Sequence, residues 1–593
     1  MAISAAQKTI HEVLSPRHYQ FVIPAYQRPY AWGKEQALAL ISDLLDAFLD
    51  SPNEEYFLGS IVVVKRSASS AEAEVVDGQQ RLTSLSILMA VIRDLLPLGS
   101  GADVTNLLVS SFMDAREIGL RLRTTGKNPD DMFFDRYIRS EEGFRELQTL
   151  CAALPSSQQC IVRNALVMRE VIVKWLKTQT DQAPSLLKRF LGYLCQKGCL
   201  VLVESTDFNS AYRIFSTMNN RGLALGVSDL IKALVLEQFQ DEQVRDRITE
   251  TWEQEEADLT RLARSESADD LAESRRYFEL LFSHIYRMKA KRRSSKNLFD
   301  DFRKDVFGIS AQASDFGPDR AKEFVQDLLV PSSDAYEVIL SRAVKIPDQR
   351  SERLVNGLYL PLLESINNSD WQPVAISFLS RYRHQLAQAP EFFRLLERVA
   401  AISLVLGENV AKRANRYGPI LRALDVGQQD ALASLCNSVT SEEQSAVIDI
   451  LNSDLYGETH AFYVMLRLDS ALAEGDISPS LSAPRASIEH VAPQTLKQEW
   501  KVDWPDDDHQ KLVNKIGNLV LLSKRKNSRA QNFDFKTKKE AYFAAKDGKA
   551  GEVATFPLVT RVLKTGDSWT PDTVRQNQDA YLSELKRVWH LSS

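Results

Sequence analysis

Cysteine is scarce in this chain, with five in 593 residues, which excludes a disulfide scaffold. Cys195 and Cys199 are the only close pair, and no Cys-x-x-Cys motif accompanies them, so a thiolate zinc site is not expected. That usage fits a reducing compartment, and a cytoplasmic location is expected. No uninterrupted apolar run approaches the ~18 residues that suggest a membrane span. The first 15 residues, MAISAAQKTIHEVLS, lack an apolar core, so no signal peptide is expected. Neither GxxxxGK(S/T) nor GxGxxG is present, so a nucleotide site here would be neither a P-loop nor a Rossmann fingerprint.

An excess of charge of one sign is missing too. The 73 Lys/Arg and 79 Asp/Glu leave a net charge of −6. That small total does not exclude nucleic acid, because the position of the charge decides. Between Lys511 and Ala550 stand 11 Lys/Arg against 3 Asp/Glu, a local excess of +8. Composition is otherwise that of a globular protein, 44% hydrophobic and 26% charged, and the length suits about three to five domains or lobes.

Near the N-terminus, FVIPAYQRPYAW (21–32) sets the polar pair Gln27 and Arg28 among Tyr26, Tyr30 and Trp32. YFLGSIVVVKR (56–66) predicts a strand, with Gly59 as a point of close approach. In EVVDGQQRLTSLSILMAVIRDLL (74–96), Glu74 to Val76 predict a strand, Asp77-Gly78 a turn, and the residues from Thr83 a helix. Gln79, Gln80 and Arg81 then stand where a strand becomes a helix. Unpaired backbone N–H groups there make an anion site, to which Arg81 adds a bidentate donor for phosphate. A plain turn with a surface arginine accounts for the same residues.

The middle reads as helices. In CLVLVESTDFNSAYRIFSTMNNRGLALGVSDLIKALVLEQF (199–239), a strand at Val201–Val203 precedes a short helix, Asn209–Met218, and Ser228 is the expected N-cap of the next. Asn219, Arg221, Asp229 and Lys232 read as a capping and packing device. Residues 243–274 predict a long charged helix, and Arg287–Lys296 a basic run, either solvated or set against phosphate. From 315 to 480 helix follows helix without a constant repeat.

Near the C-terminus, SIEHVAPQTLKQEW places Glu489 and His490 together in an apolar strand context, and KIGNLVLLSKRKNSRAQN (515–532) follows with Asn518, Asn527 and Asn532. Such chemistry fits phosphodiester hydrolysis. A histidine with an ordinary pKa near ~6.5 is suited to taking a proton from water. An oxygen-ligand pair would hold one Mg²⁺ (or Mn²⁺). Lys524, Arg525, Lys526 and Arg529 would hold the DNA backbone without reading its sequence. A structural histidine beside a solvated basic face explains the same residues. In the tail, Thr570 is an N-cap candidate and Pro571 stands at the first helical position.

IPAYQRPYAW, FLGSIVVV and VVDGQQRLTSL closely resemble the N-terminal domain of GmrSD-type restriction enzymes, of the ParB/sulfiredoxin-like fold, over about residues 8–100. The resemblance implies a nucleoside triphosphate bound by Asp77, Gly78, Gln79, Gln80 and Arg81, with Gln27 and Arg28 in the same cleft. IFSTMNNRGLALGVSDLIK matches a further signature of that family and implies that Arg221 and Lys232 help to close the cleft or pass its state onward. IEHVAPQT with IGNLVLLSKRKNSRAQN resembles the family's C-terminal nuclease domain, a variant of the HNH (ββα-metal) type, over about residues 440–592. It implies His490 as general base, Glu489 and Asn527 as metal ligands and Asn518 as the brace of the loop that carries the base.

The expected architecture is a multidomain α+β chain. Residues 1–240 form a ParB-like nucleotide-binding and DNA-sensing lobe, 241–440 a largely helical coupling region, and 441–593 a helical and HNH nuclease domain. The expected function is an NTP-regulated, modification-dependent (type IV) DNA endonuclease or nickase acting on foreign phage DNA, with one divalent metal per HNH site and NTPase activity. Double-stranded DNA, modified as in the glucosylated or phosphorothioate (SspE-like) systems related to the family, is the expected partner. No membrane partner is expected, and a homodimer is left open. A nuclease indifferent to modification and an NTP-dependent DNA-binding regulator with an idle nuclease site are the two alternatives.

Overall fold

The computed structural model describes residues 3–14, 19–24, 27, 29–65, 67, 72–96, 123–124, 129–139, 146–147, 150, 154–178, 183–206, 211, 226–264, 275–291, 297–309, 316–475, 477–482, 486–523, 533–543 and 556–592. The protein is mostly helical with a mixed sheet near its N-terminus, compatible with a multidomain α+β class. It divides into two compact units, one of Met1–Gln254 with Asp269–Glu273 and one of Glu255–Ala268 with Ser274–Ser593. Among the described residues no helix is long and apolar enough to cross a membrane.

Among the described residues of the first unit are six strands: β1 (Ile3–Thr9), β2 (Gln20–Ile23), β3 (Tyr56–Val64), β4 (Glu72–Asp77), β5 (Arg123–Thr124) and β6 (Gly198–Ser205). Their order is β1-β6-β3-β4-β2-β5. β3 runs antiparallel to β4 and parallel to β6. The pleat turns successive side chains to opposite faces. Ile61 and Val63 therefore enter the large core, with Leu85, Leu88, Ile161 and Phe190. Val62 and Val64 pack with Val76 and Val203 in a smaller cluster. With the helix Ala183–Lys197, three helices supply more than half of the large core: α1 (Lys34–Asp50), α2 (Gln79–Leu95) and α3 (Ser156–Lys177).

Two helix starts differ from expectation. α2 begins at Gln79, not at Thr83. Gly78 ends the strand in a left-handed conformation, and its carbonyl accepts from the Leu82 N–H at 2.9 Å. Gln79, Gln80 and Arg81 are thus the first helical turn rather than a loop before it. In α4 (Val227–Glu237) the cap is Gly226, not Ser228, which lies buried within the helix. The Asp229 carboxylate accepts from the Gly226 N–H at 3.0 Å, which is the half of a capping box that the third helical residue supplies. The short helix expected at Asn209–Met218 and the sites Asn219 and Arg221 lie outside the described residues, save Ala211.

The second unit is helical from residue 316 to residue 475, with short breaks. A buried carboxylate on α5 (Ala389–Val405) ties three of its helices together. Glu397 Oε1 accepts from the Tyr463 hydroxyl on α6 (Ala461–Ala471) at 2.5 Å and from the Trp589 indole at 3.1 Å. Arg467 lies 3.4 Å from the same oxygen. The strands β7 (Ala486–His490) and β8 (Leu519–Ser523) pair antiparallel with His490 opposite Leu519, and α7 (Phe535–Phe543) follows them. The last helix, α8 (Pro571–Trp589), starts as expected, with the Thr570 side chain accepting from the Thr573 N–H and Pro571 at the first position.

His284 is fully enclosed in this unit, and burial holds it down at about 3. The unfolded chain protonates it near ~6.5. Between those values the unfolded state binds the extra proton, so the stability present above pH 6.5 is lost as pH falls toward 3. Scanning calorimetry should show the melting temperature falling from pH 7 to pH 5, with a shallower slope in a His284→Leu variant.

Candidate functional site

In the first unit, residues of two sequence segments are stitched together at the β4–α2 junction. The Gln27 side-chain amide donates to the Val75 and Val76 carbonyls at 3.1 and 2.8 Å. The Gln80 carbonyl oxygen accepts from the Ala31 and Trp32 N–H groups at 2.7 and 3.2 Å, and its amide donates to the Pro29 carbonyl at 3.3 Å. Both glutamines are buried and bound to backbone, so they position the 27–32 segment against the start of α2. The Tyr30 hydroxyl lies 2.7 Å from Ser84 Oγ and accepts from Asn164 on α3, whose amide also donates to the Trp32 carbonyl. Sequence reasoning missed Asn164, because nothing in a helical stretch marks one asparagine as facing a loop 130 residues earlier.

Arg81 lies over β3. Its Nη1 donates to the Ser60 carbonyl at 2.8 Å, and desolvation lowers its pKa while the charge of Asp77 raises it. Gly59 makes room for it. A Cβ at Gly59, whose φ is +105°, would stand 2.8 Å from Arg81 Cζ, so the expected close approach is that of the arginine. The pairing of β3 with β6 shifts register between Phe57 and Ser60, as a bulge at a glycine does. Asp77, Gly78 and Gln79 occupy the same junction, while Arg28 and Tyr26 lie outside the described residues.

In the second unit, Glu489 and His490 end β7. His490 Nε2 lies 3.1 Å from Asn514 Oδ1, and the Tyr456 ring stands 4.1 Å from the imidazole between centroids. Burial lowers His490 to about 4, the Asn514 bond opposing it and the Lys538 and His509 charges adding to it, so the ring is neutral near pH 7. Burial also raises Glu489 and lowers Lys538, and the attraction between the two opposes both shifts. Lys538, on α7, has no exposed side-chain surface. Its ammonium donates to Glu489 Oε1 at 2.9 Å and to the His490 carbonyl at 2.6 Å. Sequence reasoning counted Lys538 only as one cation of a basic stretch.

Asn518 is completely buried and uses its whole amide. The oxygen accepts from the Ala492 N–H and the Trp569 indole, both at 2.9 Å, and the nitrogen donates to the Ala492 and Val513 carbonyls, both at 2.9 Å. The turn before it fits against α8 only because residue 517 is glycine: a Cβ there would stand 2.3 Å from the Val574 carbonyl. Asn527, Asn532, Lys524, Arg525, Lys526 and Arg529 lie outside the described residues.

Among the described residues no group of three metal-ligating side chains gathers. Next to His490 in the strand is the carboxylate residue Glu489, with one oxygen bonded to Lys538. That donor fits a hard cation of the Mg²⁺ kind, which keeps several waters and takes one or two carboxylates together with substrate phosphate. A histidine that is neutral near pH 7 is able to accept a proton.

Comparison with protein families identifies both ends. Residues 10–236 match the model described as GmrSD restriction endonuclease, N-terminal domain, and residues 442–584 match GmrSD restriction endonucleases, C-terminal domain. No curated protein matches the chain. The class is that of restriction nucleases, enzymes that cleave DNA. Within it, the chain belongs to the GmrSD restriction endonuclease family.

Two measurements test the local geometry. Gly59→Ala should lower the unfolding free energy by about 1–3 kcal/mol in urea titrations, and by less in an Arg81→Ala background, where the clash is gone and only the backbone strain remains. Asn518→Ala strands the Ala492, Val513 and Trp569 groups, and should cost about 3–5 kcal/mol by the same measurement.

Proposed function

We propose that this restriction endonuclease is an NTP-regulated, modification-dependent DNA endonuclease or nickase of the type IV kind. In this reading the N-terminal lobe is ParB/sulfiredoxin-like and binds and hydrolyses the nucleotide, and β7, β8 and α7 are an HNH (ββα-metal) nuclease unit. The observation that carries the cleavage half is the neutral His490 held by Asn514 next to Glu489.

With Asn514 Oδ1 as acceptor, Nε2 carries the imidazole proton and Nδ1 offers its lone pair. His490 Nδ1 then takes a proton from water. The water oxygen attacks phosphorus, and the bond to the 3′ oxygen breaks in line. Bound Mg²⁺ or Mn²⁺ would stabilise the charge developing on the phosphate and the leaving oxygen, held by Glu489 and Asn527. Asn518 ties Ala492, two residues past the base, to Val513 and Trp569, and this keeps the base in place. Lys524, Arg525, Lys526 and Arg529 contact the DNA backbone. At the other end, the first turn of α2 has no side-chain cap, and Arg81 stands beside it. Both features support an anion site there, with Asp77, Gly78, Gln79, Gln80, Gln27 and Arg28 framing a triphosphate.

The test is plasmid cleavage with Mg²⁺ on unmodified, glucosylated hydroxymethylcytosine and phosphorothioate DNA, with and without NTPs. Cleavage of one modified substrate is expected, reduced about 100-fold or more in His490→Ala with DNA binding retained. Equal cleavage of all substrates would remove modification dependence, and an unchanged His490→Ala would remove the base. Arg81→Ala should weaken titrated NTP binding several-fold, and an unchanged affinity would remove Arg81 from the site.

A further inference from the structure

Lys538 has an unusual place for a lysine. Its side chain is wholly enclosed, yet its ammonium touches both residues at the end of β7, Glu489 through the carboxylate and His490 through the backbone carbonyl. Lysine has donors only, and both partners are acceptors only, so the direction of these bonds is unambiguous. The helix that carries it is firmly set. Asp534 accepts from the Thr537 N–H and hydroxyl at 3.0 and 2.5 Å, and the Phe535 ring packs 5.7 Å from Trp569. Lys539, the next residue, points elsewhere and donates to the Thr565 carbonyl at 2.9 Å. A fixed helix therefore presents one fixed charge to the acid beside the base.

We propose that Lys538 is a positioning residue of the cleavage site: it orients Glu489 and holds down the affinity of that carboxylate for a divalent cation. The inference rests on Glu489 being the cation's carboxylate. Two physical effects oppose each other here. The ammonium fixes the carboxylate rotamer, which favours catalysis. It also occupies one oxygen and repels a second cation brought to the same group, a repulsion strengthened by burial. Loss of the lysine then has a signature that loss of a purely structural residue lacks, namely tighter cation binding together with slower cleavage.

The experiment uses the full chain with Mn²⁺ as the probe. Calorimetry without DNA or NTP reads Mn²⁺ affinity, and plasmid cleavage at saturating Mn²⁺ reads the rate. Lys538→Met is expected to bind Mn²⁺ at least five-fold more tightly (an order-of-magnitude expectation from about that much relief of repulsion) and to cleave roughly ten-fold more slowly. Lys538→Gln keeps a donor for the two oxygens without the charge. It should show the same tightening, and it decides the matter if the methionine variant does not fold. Unchanged or weaker Mn²⁺ binding in a folded variant overturns the proposal, as does tighter binding with undiminished cleavage. Glu489→Gln separates the two levels of inference. If it leaves Mn²⁺ affinity intact, the carboxylate is not the ligand and the metal reading itself falls. If it abolishes binding while the lysine variants change nothing, only the role of Lys538 falls.

Discussion

The primary amide of Asn518 is the constraint on which the cleavage end of this protein rests. Four hydrogen bonds leave one buried side chain and reach the segment after β7, Val513 at the end of the helix Asp506–Leu512, and the tryptophan ahead of α8. An amide is suited to this, since it donates and accepts in one plane and carries no charge to desolvate. The neighbouring glycine lets the turn approach the α8 backbone closely, so the clamp and the close packing are one device. With Ala492 held, the backbone that carries Glu489 and His490 has little freedom.

The first unit meets a similar demand by other means. Gln27 and Gln80 are amides as well, and each binds backbone carbonyls or N–H groups of the other's segment. Their bonds hold an aromatic, proline-rich stretch onto the start of a helix whose first turn carries Arg81. Arg81 is held in turn by a carbonyl of β3 and by the space that Gly59 leaves. In both units neutral amides hold the backbone in place, and the charged groups find partners of their own, Arg81 in the Ser60 carbonyl and Lys538 in Glu489. Buried amides fully bonded cost little, whereas a buried charge requires a partner.

Much of this was legible in the order of residues. The β-branched run IVVV marked β3, the Thr570-Pro571 pair marked the start of α8, and Gly59 stood out as a point of close approach. The helix starts at Gln79 and Gly226 were less legible. A left-handed glycine can open a helix as well as end a strand, and a carboxylate three residues on can cap a glycine in place of a serine hydroxyl. The family resemblance at each end was visible in short strings, FLGSIVVV and VVDGQQRLTSL near the start, IEHVAPQT and IGNLVLLSK near the finish, because those strings hold strand, turn and polar residue at fixed spacing.

The sequence alone determined the class of several elements and the residues worth asking about, since composition, periodicity and turn chemistry are local properties. Tertiary structure alone decided what those residues touch. That Lys538 would be enclosed against Glu489, that Asn514 would face His490, and that Asn164 would reach Tyr30 depend on contacts between segments 24 to 134 residues apart. A lysine in a basic run looks like every other lysine until the chain folds. Only packing removes one of them from water, and only there does its charge govern a neighbour.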